Sequence, residues 1–241
     1  MLRRVGSAPE SEPRARRRGL LLALCALLLV AGGAIWWRDH GKRLFFPRNF
    51  EEIEPGLYRS GRIHRRLIES VLRENRLDLV IDLAGHHADD PDDVAEAEAT
   101  ARLGVERLVY STLHGDGRGD PQDYVHALTA LSQARAQGER VLVRCGGGAV
   151  RTGAFFLLYR TLFEGWSESD AIAEYERFRD RPVDEVTATA FLDAHIAEIA
   201  AGLVASGALP NSPVSLPIFS PVAASDLDEP RRGKGWLDDW H

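Results

Sequence analysis

The chain has 241 residues, two cysteines (Cys25 and Cys145) and a net charge of −6. Its length suits one domain of ordinary size plus appendages, and a composition of 44% hydrophobic and 27% charged residues excludes collagen-like, wholly disordered and many-span membrane chains. Two cysteines cannot build a disulfide scaffold or a four-cysteine zinc site; nine basic against three acidic residues in 1–43 leave −12 on 44–241, which argues against nucleic-acid binding.

Residues 1–19 form a basic segment. Leu20–Trp37 follows with 18 uncharged, mostly apolar residues, and at about 1.5 Å per residue such a helix just crosses a bilayer core. Six arginines precede this stretch, so the positive-inside bias predicts a cytoplasmic amino terminus and puts everything after residue 38 on the outer side. Trp36 and Trp37 stand where an interfacial anchor belongs. A cleaved signal peptide, with Leu20–Val30 as its apolar core and Ala31–Ala34 as the processing site, is the alternative, and it exports the body equally.

After a connector over 38–49, the body at 50–204 alternates strand and helix patterns. Strands are predicted at Gly56–Gly61, Leu77–Leu83, Val105–Tyr110 and Arg140–Arg144. Helices are predicted at Ile63–Asn75, Pro91–Leu103, Gln122–Gln137 after Pro121, Thr152–Phe163, Ser167–Phe178 with a capping box, and Val183–Val204. This order implies an α/β domain: a small, mostly parallel sheet of four or five strands flanked by helices and preceded by one transmembrane helix. Residues 205–241 carry five prolines between Pro210 and Pro230 and read as a flexible tail, with Trp236 and Trp240 as a candidate docking element.

The chemistry concentrates in Val141-Leu142-Val143-Arg144-Cys145-Gly146-Gly147-Gly148-Ala149-Val150-Arg151-Thr152-Gly153, between a buried strand and a helix. Three consecutive glycines let successive N–H groups of Gly146, Gly147, Gly148, Ala149 and Val150 curl into an anion nest closed by the helix's positive end. A cysteine at the base of that nest is expected to be a thiolate near neutral pH. Arg151 can grip two phosphate oxygens in a bidentate fork, and Thr152 can give its hydroxyl to the sulfur.

Cys145-x5-Arg151 followed by Thr152-Gly153, with Gly148 inside, resembles the signature of the cysteine-dependent protein tyrosine and dual-specificity phosphatases. Upstream, Glu54-Pro55-Gly56-Leu57-Tyr58-Arg59-Ser60-Gly61 and Val80-Ile81-Asp82-Leu83 are similar to the opening strands of the bacterial dual-specificity-like branch. The resemblance spans about 50–179. It implies a nucleophile at Cys145, phosphate held by residues 146–152, and a general acid on the loop His114–Pro121. Asp116 in Asp-Gly-Arg-x-x-Pro fits that role, with Asp120 better explained as a helix cap. No cofactor and no metal are implied. One departure is Arg144, which stands where the family has a histidine that orients the loop and tunes the thiol; as a neighbouring cation, arginine can lower the thiol pKa too.

The loop interior Gly-Gly-Gly-Ala-Val lacks lysine and histidine, which suits a single phosphomonoester on a phosphorylated protein; a lipid headgroup is the alternative substrate. A non-catalytic phosphate-binding pseudophosphatase is the rival of a different class, supported by Arg144. His86 and His87 beside Asp89, Asp90, Asp92 and Asp93 read as a hydrated acidic loop, and His114, His126 and His195 as structural.

Overall fold

The computed structural model describes residues 12–39, 41–178 and 186–220. It divides into two compact units, Met1–Phe46 and Pro47–His241. In the first, helix α1 (Glu12–Asp39) contains the apolar stretch Leu21–Ala34, every position of which is exposed. A helix satisfies its own backbone hydrogen bonds, which is the condition for crossing lipid. A 3-10 turn (Gly41–Leu44) follows, and the Trp37 ring lies 5.6 Å from that of Phe45.

The second unit holds five strands, β1 (Glu51–Glu54), β2 (Leu57–Ser60), β3 (Leu79–Asp82), β4 (Glu106–Val109) and β5 (Val141–Arg144), in the order β1-β2-β5-β3-β4. All pairings are parallel except the β1–β2 hairpin. Around them lie α2 (Ile68–Glu74), α3 (Pro91–Leu103), α4 (Pro121–Ala136), α5 (Val150–Leu162), α6 (Glu168–Arg177) and α7 (Val186–Ala205).

Side chains alternate across a strand, so each strand feeds two cores. Leu57, Ile81, Val141 and Val143 pack with α4, α5 and α7, whereas Tyr58, Val80 and Leu142 pack with Ile68, Leu72 and Ala99 of α2 and α3. Strands covered on both faces read as continuous apolar runs, which is why β3 and β5 were predictable. β1 was not predictable from alternation. Its sequence Glu-Glu-Ile-Glu marks an edge strand protected by charge from pairing with another chain.

The expected helix at Ile63–Asn75 begins only at Ile68. Ile63 is fully buried from the irregular segment before the helix, and this extends the helical spacing beyond the helix itself. Ser167 caps α6 as its capping box predicts, accepting from the Asp170 amide at 3.2 Å. Helix α7 is long and apolar enough to cross a bilayer over Thr187–Ala205, yet half of that stretch is buried and it packs on α4 and α5 as a core helix. Beyond it, where composition suggests a tail, Leu209 and Phe219 are buried against the domain, and Asp193 accepts from the Phe219 and Ser220 amides at 2.7 and 2.8 Å. Trp236 and Trp240 lie outside the described residues.

Helix α5 sits against α6 at Gly153, where a Cβ would fall 2.2 Å from the Tyr175 ring. Gly153→Ala is therefore expected to destabilise the domain by about 1–3 kcal/mol despite alanine's better helix propensity. Urea unfolding of the two forms measures this.

Candidate active site

β5 lies between β2 and β3, and the three parallel strands end level, with Ser60 and Asp82 each paired to Arg144. The loop leaving a central parallel strand opens into the crevice at the carboxyl edge of the sheet, the usual ligand position in such folds. Cys145 is the first residue of that loop, and its side chain continues the Val141–Val143 face into the core, 2% exposed.

The sulfur accepts from the Gly148 amide at 3.2 Å. Burial pushes the Cys145 thiol up. The Arg151 guanidinium, the Thr152 hydroxyl and amide, and the Gly148 amide together outweigh burial and bring it below its ordinary value. Gly148 takes a left-handed φ of +68°, and a Cβ there would lie 2.4 Å from the Gly61 nitrogen, so two conditions require glycine at once. Ala149 precedes α5, whose first turn carries Val150, Arg151 and Thr152. Arg151 Nη1 donates to the carbonyls of Leu83 (3.1 Å) and Leu113 (3.2 Å), which fixes the plane of the fork. Its buried Nε has no partner among the described residues.

Asp116 sits on the loop between β4 and α4. Its carboxylate is one-third exposed, accepts from Arg118 Nε at 2.9 Å and is paired with Arg118 Nη2 at 2.8 Å. Arg151 joins the loop to the site through the Leu113 carbonyl, and the Tyr124 hydroxyl of α4 donates to the Gly117 carbonyl at 2.8 Å. A Cβ on Gly117 would approach Val150 to 3.3 Å, which places this turn beside the phosphate loop. Asp120 caps α4, accepting from the Gln122 amide at 2.9 Å.

The expectation that Arg144 acts on the thiol is corrected. As the next residue along the strand it points to the opposite face, where it is fully buried. There its Nη2 pairs with Asp82 (2.8 Å), Asp93 (3.0 Å) and Glu96, and Arg107 reaches the same three carboxylates from β4. The carboxylates converge as those of a metal site do, but the cations among them are guanidiniums. Burial pushes Asp82 up. At Asp93 burial is overcome by the His87 amide, Arg144 and Arg107, which hold that carboxyl at about 2. Asp93 thus belongs to the interior rather than to a hydrated loop; His86 contacts it at 2.6 Å.

Sequence reasoning assigned no role to Asn49 or Arg59. Asn49 Nδ2 donates to the carbonyls of Gly147 (2.9 Å) and Phe178 (3.2 Å). Arg59, fully buried, donates from Nη2 to the Gly148 carbonyl at 2.9 Å and stacks 3.4 Å from the Phe178 ring centre. Burial lowers its pKa to about 10, with Glu174 and the Cys145 sulfur acting in the opposite sense. An arginine inside a four-residue strand buried at every position was the available signal.

The sequence matches no family model and no curated protein. Among solved structures it is similar to TpbA of P. aeruginosa, at 26% identity and a TM-score of 0.50 over 66% of this chain and 91% of that one. It is also similar to the core catalytic domain of the PP-IP phosphatase SIW14 from S. cerevisiae, at 21% identity and 0.50 over 68% and 96%. For PTPMT1 the values are 18% and 0.50 over 65% and 99%. These are cysteine-based phosphatase folds of the protein tyrosine and dual-specificity type, and the chain shares that fold.

Proposed function

We propose that this chain, built on the fold of the cysteine-dependent protein tyrosine and dual-specificity phosphatases, hydrolyses phosphomonoesters through a phosphocysteine. The observation that carries the reading is the Cys145 sulfur held by the Gly148 amide at 3.2 Å, with Arg151 lowering the thiol and offering an Nε that has no partner among the described residues. Cys145 Sγ attacks phosphorus in line and the P–O ester bond breaks, while Asp116 gives its proton to the departing oxygen. Water then attacks phosphorus, Asp116 takes the proton, the S–P bond breaks, and inorganic phosphate leaves with the thiolate restored. The amides of residues 146–152 and Arg151 stabilise the equatorial oxygens, the largest contribution to the rate. Because Asp116 is bound to Arg118, it must exchange that partner for the leaving group, a motion that Gly115, Gly117 and Gly119 permit.

A phosphotyrosine or dual-specificity protein substrate is supported by the neighbour TpbA, whose cysteine-to-serine form has been solved in complex with phosphotyrosine. The exposed apolar stretch of α1 favours a second reading, a phosphomonoester headgroup within a membrane. It also supports anchoring through residues 20–37; the outer placement of the catalytic domain at 50–204 is proposed from the six arginines before that stretch alone. The pseudophosphatase reading rests on the replacement of histidine by Arg144, and the pairing of Arg144 with Asp82 on the opposite face of the sheet weighs against a direct effect on the thiol.

Aryl phosphates test the assignment. Asp116→Asn is expected to lower turnover of phenyl phosphate by about 10²–10⁴-fold, and of p-nitrophenyl phosphate by less, because nitrophenolate leaves without a proton. Asp120→Asn is expected to lose little activity and, as asparagine caps a helix well, little stability. Equal losses on both esters would remove Asp116 from the acid role.

A further inference from the structure

We infer that Asn49 and Arg59 are positioning residues that set the polarity of the phosphate loop, holding its carbonyls outward so that its amides face the thiolate and the bound phosphoryl group. The inference rests on the phosphatase reading and extends it to residues outside the signature.

A nest binds an anion only if successive N–H groups point inward, and in a run of glycines little in the backbone itself enforces that. In a trans peptide the C=O and the following N–H point in opposite directions, so fixing a carbonyl aims the next amide. The carbonyl of Gly146 accepts from the Arg62 amide (3.0 Å), that of Gly147 from Asn49 Nδ2 (2.9 Å), that of Gly148 from Arg59 Nη2 (2.9 Å), and that of Ala149 from the Gly153 amide (2.7 Å). Each carbonyl from 146 to 149 is thereby held by a donor. The amides aimed by these bonds are those of Gly147, Gly148, Ala149 and Val150. For Gly148 the result is visible, since its N–H meets Cys145 Sγ at 3.2 Å on the far side of the peptide that Asn49 holds.

Two of the four donors are side chains, and both come from the segment that opens the domain. Asn49 takes a left-handed φ of +49°, a conformation asparagine tolerates, and its backbone neighbour Arg48 accepts from the Gly61 amide at 2.7 Å. Arg59 is clamped between the Phe178 ring and Glu174, whose carboxylate lies 3.7 Å from Nη1. Removing Asn49's donor frees the Gly147–Gly148 peptide to turn. The sulfur then loses an N–H and faces a carbonyl oxygen, and both changes disfavour the thiolate.

The test uses the full chain in detergent on a Cys25→Ser background, comparing Asn49→Gly and Asn49→Asp, which keep the backbone preference, with Arg59→Lys. Three quantities are read: the pH midpoint of iodoacetamide alkylation at Cys145, inhibition by orthovanadate, and thermal midpoint. Asn49→Gly and Asn49→Asp are expected to raise the alkylation midpoint and weaken vanadate by about 10–100-fold, with kcat falling more than KM rises. Arg59→Lys, which keeps a donor and a charge, is expected to lose less. Folded Asn49 variants with wild-type alkylation midpoint and vanadate inhibition would overturn the inference. Raised midpoints in the variants of a wild-type protein that turns over no phosphomonoester would support the positioning role and remove the phosphatase reading alone.

Discussion

Cys145→Ser is expected to reduce aryl-phosphate hydrolysis by at least about 10⁴-fold while leaving oxyanion binding nearly intact. The reason lies in how the site ionises its nucleophile. Burial opposes the charge on sulfur, and Arg151, Thr152 and the Gly148 amide supply only enough to bring a thiol below its ordinary value. An alcohol starts many pH units higher, and the same field leaves it protonated. The amides and Arg151 are untouched by the exchange, so vanadate or phosphate should still bind. Turnover close to wild type in the serine form would refute the phosphocysteine route. Arg151→Lys separates the second contribution: it keeps the charge but loses the fork and its tethers to Leu83 and Leu113, and about 10²–10³-fold in kcat is expected to go with them.

Arg144→Leu is expected to be the most destabilising single change in the domain, by about 3–5 kcal/mol. Asp82, Asp93 and Glu96 are each fully buried, and they share two guanidiniums, those of Arg144 and Arg107. Taking Arg144 away leaves the three buried carboxylates to the Arg107 guanidinium and, at Asp93, His86, and an uncompensated interior charge is far costlier than the pair was stabilising. The cluster joins β3, β4, β5 and α3, so the loss should appear as a lower midpoint of cooperative urea unfolding. Arg144→Leu combined with Glu96→Leu should recover a substantial part of it, because the second change removes the stranded acid. A single-variant loss under 1 kcal/mol would show that Arg107 alone carries the cluster.

Much of the domain is legible from residue pattern, for identifiable reasons. Strands buried on both faces advertise themselves as β-branched runs, as in Val141-Leu142-Val143. Helix starts at Pro91, Pro121 and Ser167 are written in caps whose hydrogen bonds the structure contains. The loop from Cys145 to Thr152 is legible because its chemistry is local: nucleophile, glycines and fork lie within eight consecutive residues. The rest is illegible because it is not local. Asn49 is 98 positions from Gly147, and Arg59 is 89 from Gly148, so no spacing rule connects them. Arg144 shows the converse limit. Adjacency to Cys145 suggested an electrostatic partner, and the two-residue repeat of a strand sent its side chain to the other side of the sheet.

The long sequence separation between the opening hairpin and the glycine loop bears on when the protein becomes chemically dangerous to itself. Until β2 and β3 have paired with β5, the donors of residues 49–61 are not in place around the loop, and Cys145 is expected to react as an ordinary thiol. A partial unfolding that lifts residues 49–61 away from the loop is therefore expected to return Cys145 to the reactivity of an ordinary thiol, peroxide included.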